Sequence, residues 1–131
     1  MRRRLELVRM VEPERLRFSF RYLDTTHPAF SLARCGAGYF HLLLKRLHEL
    51  SSLSAEEFRA RRSGTLRVHP IDFSDPRVAV PGFGIRGVRA DEIAWQFALS
   101  ANAHGRVHGF LFEDTFYVRW LDPEHNLYPG N

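Results

Sequence analysis

Period-two alternation dominates the last third of the chain. It runs through WQFALS (95–100), GRVHGFLF (105–112) and TFYVRWL (115–121), separated by the turn-forming stretches ANAHG, EDT and DPEHN. The pattern predicts a meander of antiparallel strands. With Glu113 and Asp114 as a hairpin turn, Leu111 faces Phe116, Gly109 faces Val118 and Val107 faces Trp120. With Ala101 to Gly105 as the preceding loop, Leu99 faces Val107, Phe97 faces Gly109 and Trp95 faces Leu111. Both turns put the apolar residues on one side, an agreement that a slip of a single residue would destroy. Gly109 leaves room for the large rings of the flanking strands.

Upstream, Leu16, Phe18, Phe20 and Tyr22 alternate with Arg17, Ser19 and Arg21, which predicts a strand with one buried face. From Gly38 to Leu50 the period becomes helical, with Phe40, Leu43, Leu44, Leu47 and Leu50 on one stripe. A second helix begins at Ser54, with Glu57 completing a capping box and Leu53 placed to staple on Phe58, and it ends near Arg62 before Ser63 and Gly64. TLRVHPIDF (65–73) then reads as a strand with Leu66 and Val68 on one side, Arg67 and His69 on the other, and Pro70 marking a bulge or an edge. The expected architecture is α+β, a two-layer sandwich in which an antiparallel sheet carries two helices on one face, in the order β-α-α-β-β-β-β.

Composition fits one domain over residues 1–131, with an N-terminal extension at 1–13 and a glycine-rich loop at 74–92. The loop contains Gly82-Phe83-Gly84-Ile85-Arg86-Gly87. Pro81 precedes this literal GxGxxG and no helical pattern follows it, so a nucleotide cofactor is not expected; the segment reads as a mobile loop that carries Arg86 and Arg89 and closes over a substrate. No apolar run reaches membrane-spanning length, and the basic start MRRRLELVRMV has no h-region, so a cytoplasmic protein without membrane contact is expected. The lone Cys35 excludes an internal disulfide framework and reads as a small packing residue. His41 and His48 share a helix side, but no further ligands stand at local spacing, so no metal site is expected. Net charge is +4, and 18 of the 19 basic residues are arginine. Arginine holds phosphate bidentately and stacks on bases, although GC-rich codon usage gives the same skew.

The second face of the meander carries the candidate chemistry. Arg106, His108, Tyr117 and Arg119 point there, and Arg67 and His69 join them if the apolar side of their strand faces the shared core. Guanidinium groups for phosphate, rings for bases and an imidazole for protons equip such a face for single-stranded nucleic acid. The plainer alternative is the ordinary solvated side of an antiparallel sheet.

The element order over residues 15–128 and the ending GRVHGFLFEDTFYVRWLDPEHNLY resemble the RelE/ParE-like toxins of bacterial toxin-antitoxin systems. The resemblance implies a metal-independent endoribonuclease acting on mRNA, free or on the ribosome, with no cofactor and with an antitoxin protein as partner. It implies Arg106 and Arg119 as phosphate stabilisers and His125 and Tyr128 as acid or base, supported by His108 and Tyr117. Arg67, His69, Arg86 and Arg89 would extend the nucleic-acid contact. The chain departs from the pattern in its length, its glycine loop and its N-terminal extension, and it lacks the lysine-rich helix of ribosome-dependent members. ParE-like relatives share the fold without cleaving RNA, which leaves open a noncatalytic accessory subunit that binds nucleic acid or protein.

Overall fold

Five strands form one open, mixed sheet in the order β1-β5-β4-β3-β2, in a computed structural model that describes residues 14–62, 64–88, 94–100 and 105–127. The strands are β1 (Arg17–Ser19), β2 (His69–Pro70), β3 (Ala94–Ala98), β4 (Arg106–Phe112) and β5 (Thr115–Asp122), with helices α1 (Ala37–Leu50) and α2 (Ala55–Arg59) between β1 and β2. The α+β class, the element order and both helices on one face agree with the sequence expectation. The all-antiparallel sheet does not, because β1 runs parallel to β5, with Phe18 opposite Phe116. The N-terminal extension at 1–13 lies outside the described residues.

The helix-side core joins Leu43 and Leu50 of α1 and Phe58 of α2 to Phe97, Val107, Phe116, Val118 and Leu121 of the sheet. α2 starts as its capping box dictates: Ser54 Oγ accepts from the Glu57 amide at 3.1 Å, and the Ser54 amide donates to Glu57 Oε1 at 3.1 Å. α1 presents a different stripe from the one expected. Tyr39, Leu43, Arg46 and Leu50 face inward, while Phe40 and Leu44 are exposed. The rotation has a polar cause. It lets Tyr39 Oη donate to the Arg106 carbonyl at 2.8 Å, and it lets Arg46 donate to the carbonyls of Ala98 and Thr65 at 2.9 and 3.0 Å.

The meander keeps its predicted faces but not every predicted partner. Leu111 faces Phe116 and Gly109 faces Val118 as expected. Between His108 and Gly109 the β4–β5 ladder then shifts, and Arg119 is the extra residue of a β-bulge. Beyond it, Trp120 pairs with His108 instead of Val107 and moves to the other face, while Leu121 takes the place opposite Val107 in the helix-side core. On the β3 side, Phe97 faces Val107 and Trp95 faces Gly109, a displacement of two residues that preserves the face. β2 is much shorter than the expected strand and forms the sheet edge that Pro70 forecast.

The second face of the sheet is covered. A second core there joins Phe30, Ile71, Val78, Phe83, Phe110, Trp120 and Leu127. Two irregular segments supply the cover. After β1 the chain turns at Arg21–Tyr22 and brings Phe30 across Trp120, with ring centroids 4.9 Å apart; from the glycine-rich stretch, Phe83 packs on Trp120 and Phe110 at 5.2 and 6.0 Å. Gly84 and Gly87, with φ of 70° and 82°, supply the left-handed turns on either side of Ile85. The stretch expected as a mobile loop is thus a packed layer between residues 71 and 88. Exposing the Phe30 and Phe83 rings to water would cost about 3–6 kcal/mol, enough to keep the cover shut in the ground state.

Candidate nucleic-acid interface

The expected open cationic face does not exist as a surface. His108 is fully buried, with the Phe30 ring of the cover 6.2 Å from its own, and Arg106 and His125 are 5% and 9% exposed, so none of these catalytic candidates is a surface group. Their partners explain the burial. His108 Nε2 lies 2.8 Å from Asp122 Oδ2, and the same carboxylate accepts from the amides of Asn126 and Leu127 at 2.8 and 3.0 Å. Burial pushes the Asp122 carboxyl up, but the hydrogen bond with His108 and those from the Asn126 and Leu127 amides outweigh it and hold its pKa below the ordinary value. His125 adopts φ 57° in the turn after β5, where its amide donates to the Asp122 carbonyl at 3.4 Å. The turn chemistry of DPEHN therefore accounts for its place in the sequence.

Arg119, expected on phosphate, holds the cover down instead. Its Nε donates to the Phe83 carbonyl at 3.0 Å, its Nη1 to the Tyr22 carbonyl at 2.9 Å, and its Nη2 lies 3.7 Å from Asp24 Oδ2. One guanidinium thereby ties both covering segments to the bulge. Tyr117 is half-buried, stacked on Phe110 at 4.9 Å and edge-on to Tyr22 at 5.8 Å, which leaves its ring faces to protein neighbours. Arg119→Met is expected to cost about 2 kcal/mol, because hydrogen bonds from a charged donor to part-buried carbonyls are worth more than neutral ones. Hydrogen exchange should accelerate in 20–30 and 71–88 before it changes in β3 and β4, and uniform protection across all of these would refute the role.

One group of exposed cations stands at the β2 edge. Arg59 ends α2, Arg61 and Arg62 follow it, Arg67 precedes β2, and all of them are exposed; His69 is half-buried on β2 itself. Among the described residues no carboxylate lies within ion-pair distance of Arg62 or Arg67. The Arg62 guanidinium sits 5.7 Å above the Trp95 ring, on the neighbouring strand. Burial lowers the His69 pKa, and the positive charges of Arg62, Arg106 and Arg67 lower it further. The buried Arg106 connects this edge to the interior: burial and Arg67 lower its pKa, while the Asp122 carboxylate acts the other way. Arg67 has φ 45°, an uncommon conformation for a residue with a side chain, and this strained backbone falls within the cationic cluster.

An imidazole whose pKa is lowered by burial and by nearby guanidiniums can take a proton while the exposed Arg62 and Arg67 neutralise a phosphate. The sequence pointed to Arg67, His69 and Arg106, and the structure brings them together. Arg62, with Arg59 and Arg61, stands at a helix C-terminus, where cations are expected and where they can also reach nucleic acid, so its sequence position does not single it out. Arg86 is exposed on the covering segment, while Arg89 and Tyr128 lie outside the described residues. Cys35 is half-buried; burial first and Asp122 second raise its pKa, and its neighbours are those of a packing thiol rather than an activated one. Among the described residues no three His, Cys, Asp or Glu side chains are grouped to hold a metal ion. Comparison with family models, curated proteins and solved structures found no match for the chain.

Proposed function

We propose that this chain is a metal-independent endoribonuclease of the toxin kind, acting on mRNA, with its working surface at the β2 edge rather than on the face of the meander. The observation that carries this reading is the grouping of His69 with Arg62, Arg67 and Arg106, in which Arg62 and Arg67 are exposed and have no carboxylate within ion-pair distance among the described residues. In that reaction His69 takes the proton of a ribose 2′-hydroxyl, and the 2′-oxygen bonds to the adjacent phosphorus. The bond to the 5′-oxygen breaks, and that oxygen is protonated by water. The products are a 2′,3′-cyclic phosphate and a free 5′-hydroxyl. The exposed Arg62 and Arg67 offset the charge that develops on the phosphate oxygens. The toxin resemblance carried by the C-terminal ending supports the substrate class, and an acidic antitoxin would be attracted to the same edge.

Incubation with single-stranded RNA in EDTA tests the reading. Cleavage should leave cyclic-phosphate ends and stop when 2′-O-methyl ribose replaces the ribose. His69→Asn should lower the rate about 100-fold or more, within the range usual for a lost general base. Because the pKa of His69 is depressed, the base remains deprotonated into mildly acidic solution and activity falls only below the ordinary histidine value of about 6.5. Arg62→Ala with Arg67→Ala should move that acidic limb to higher pH. Full activity in folded His69→Asn would end the assignment. The burial of His108 and His125 favours a second reading, a noncatalytic binder at the same edge, for which RNA would be retained in a salt-dependent manner and recovered intact.

A further inference from the structure

We propose that Gln96 is a positioning residue, a buried amide that bridges His69 at the sheet edge to the His108–Asp122 pair and holds the His69 ring in one tautomer. The inference rests on the endoribonuclease reading for its purpose, but its geometry stands apart from that reading.

The strand register supplies the alignment. His69 of β2 is the direct partner of Gln96 in β3, and Gln96 is the direct partner of His108 in β4. Direct partners share a face and lie one strand spacing apart, within reach of side chains of this length. The row therefore leads from the solvent edge inward under the cover, and Asp122 closes it through His108 Nε2 at 2.8 Å. Two polar atoms of this row are buried with no hydrogen-bond partner, Gln96 Oε1 and His108 Nδ1. Gln96 is only 2% exposed and His108 is fully buried, so bulk water does not serve either atom. Buried polar groups of native proteins are paired in the great majority of cases, and two adjacent exceptions mark a place with a task.

Donor and acceptor counting gives the chain a direction with the His108 ring protonated on Nε2 alone. That tautomer donates to Asp122 Oδ2 and leaves Nδ1 as an acceptor. The Gln96 NH₂ group is the donor one strand away. Turning the amide to make that bond aims its carbonyl oxygen at β2, where a ring N–H of His69 is the available donor. The sequence is Asp122 carboxylate, His108, Gln96 amide, His69, with each N–H donating toward Asp122. The outward nitrogen of His69 then keeps its lone pair for a proton from outside. An amide in this position fixes the tautomer without adding a charge, so the imidazole stays neutral beside its arginines.

Nitrogen-15 NMR of the histidine rings in the full-length protein tests the bridge without RNA. In the wild type His69 should show one dominant neutral tautomer, and a free-imidazole mixture there would overturn the proposal with no variant needed. Gln96→Met, of similar length and without an amide, should return His69 to a mixture. Gln96→Glu should raise the His69 titration midpoint by about 1 pH unit or more, because an opposite charge at this range favours the protonated ring. The acidic limb of RNA cleavage should move with it. Unchanged tautomer and titration in folded Gln96→Met would equally overturn the bridge. A bridge seen by NMR in a protein that leaves RNA intact would instead count against the endoribonuclease reading alone.

Discussion

Asp122→Ala is expected to remove about 3–5 kcal/mol of stability, the cost of leaving buried charge partners and donors unmatched. The carboxylate is fully buried and serves His108 Nε2, the Asn126 amide and the Leu127 amide at once. Leu127 is itself fully buried, and its carbonyl accepts from the Ala79 amide at 2.9 Å, so the end of β5 and the cover are tied through one side chain. Urea unfolding followed by circular dichroism measures the loss, and a loss below about 1 kcal/mol would show that the clamp is not needed. The pH dependence has a definite sign. A carboxyl whose folded pKa is lowered contributes stability above its unfolded value of about 4 and loses it as pH falls through the folded value. Wild-type protein should therefore lose stability in acid more steeply than Asp122→Ala.

Gly109→Ala is expected to cost about 3 kcal/mol or more, through collision rather than conformation. A methyl group at this position would sit on the Tyr117 carbonyl oxygen and 2.6 Å from the Phe116 ring. The ring can turn aside, but the carbonyl belongs to the strand next to the bulge and cannot retreat without opening the β4–β5 ladder. Phe116→Leu added to Gly109→Ala should therefore recover only part of the loss. Complete recovery, measured by the urea midpoint, would show that the ring and not the backbone is the obstacle.

The apolar half of the fold was legible because alternation and capping are local. Leu111, Phe116, Gly109 and Val118 pair as their spacing dictates, and Ser54 with Glu57 starts α2. What lay hidden was tertiary. Arg119 reads as an ordinary polar position, and no spacing rule marks it as the bulged residue that sends Trp120 to the opposite face. The rotation of α1 depends on carbonyls contributed by Thr65, Ala98 and Arg106, which sequence periodicity does not see. The cover was the costliest omission. A glycine- and proline-rich stretch looks solvated, yet Val78 and Phe83 are buried beneath it, and they turned an anticipated binding face into a second core. A Phe among glycines, together with Ile85 and Val88, was the available signal. His69 and Arg67 emerged as edge residues because Pro70 forbids a central strand.

Pairing Arg17–Ser19 beside Thr115–Tyr117 has a consequence for synthesis. Among the described residues the first strand has no neighbouring strand until residues 115–117 have left the ribosome, and α1 and α2 meanwhile have no β4 or β5 to pack against. Contacts of such long sequence separation slow folding and prolong the exposure of greasy intermediates. A nascent chain stalled before residue 115 would accordingly be a client for chaperones rather than a partly working protein.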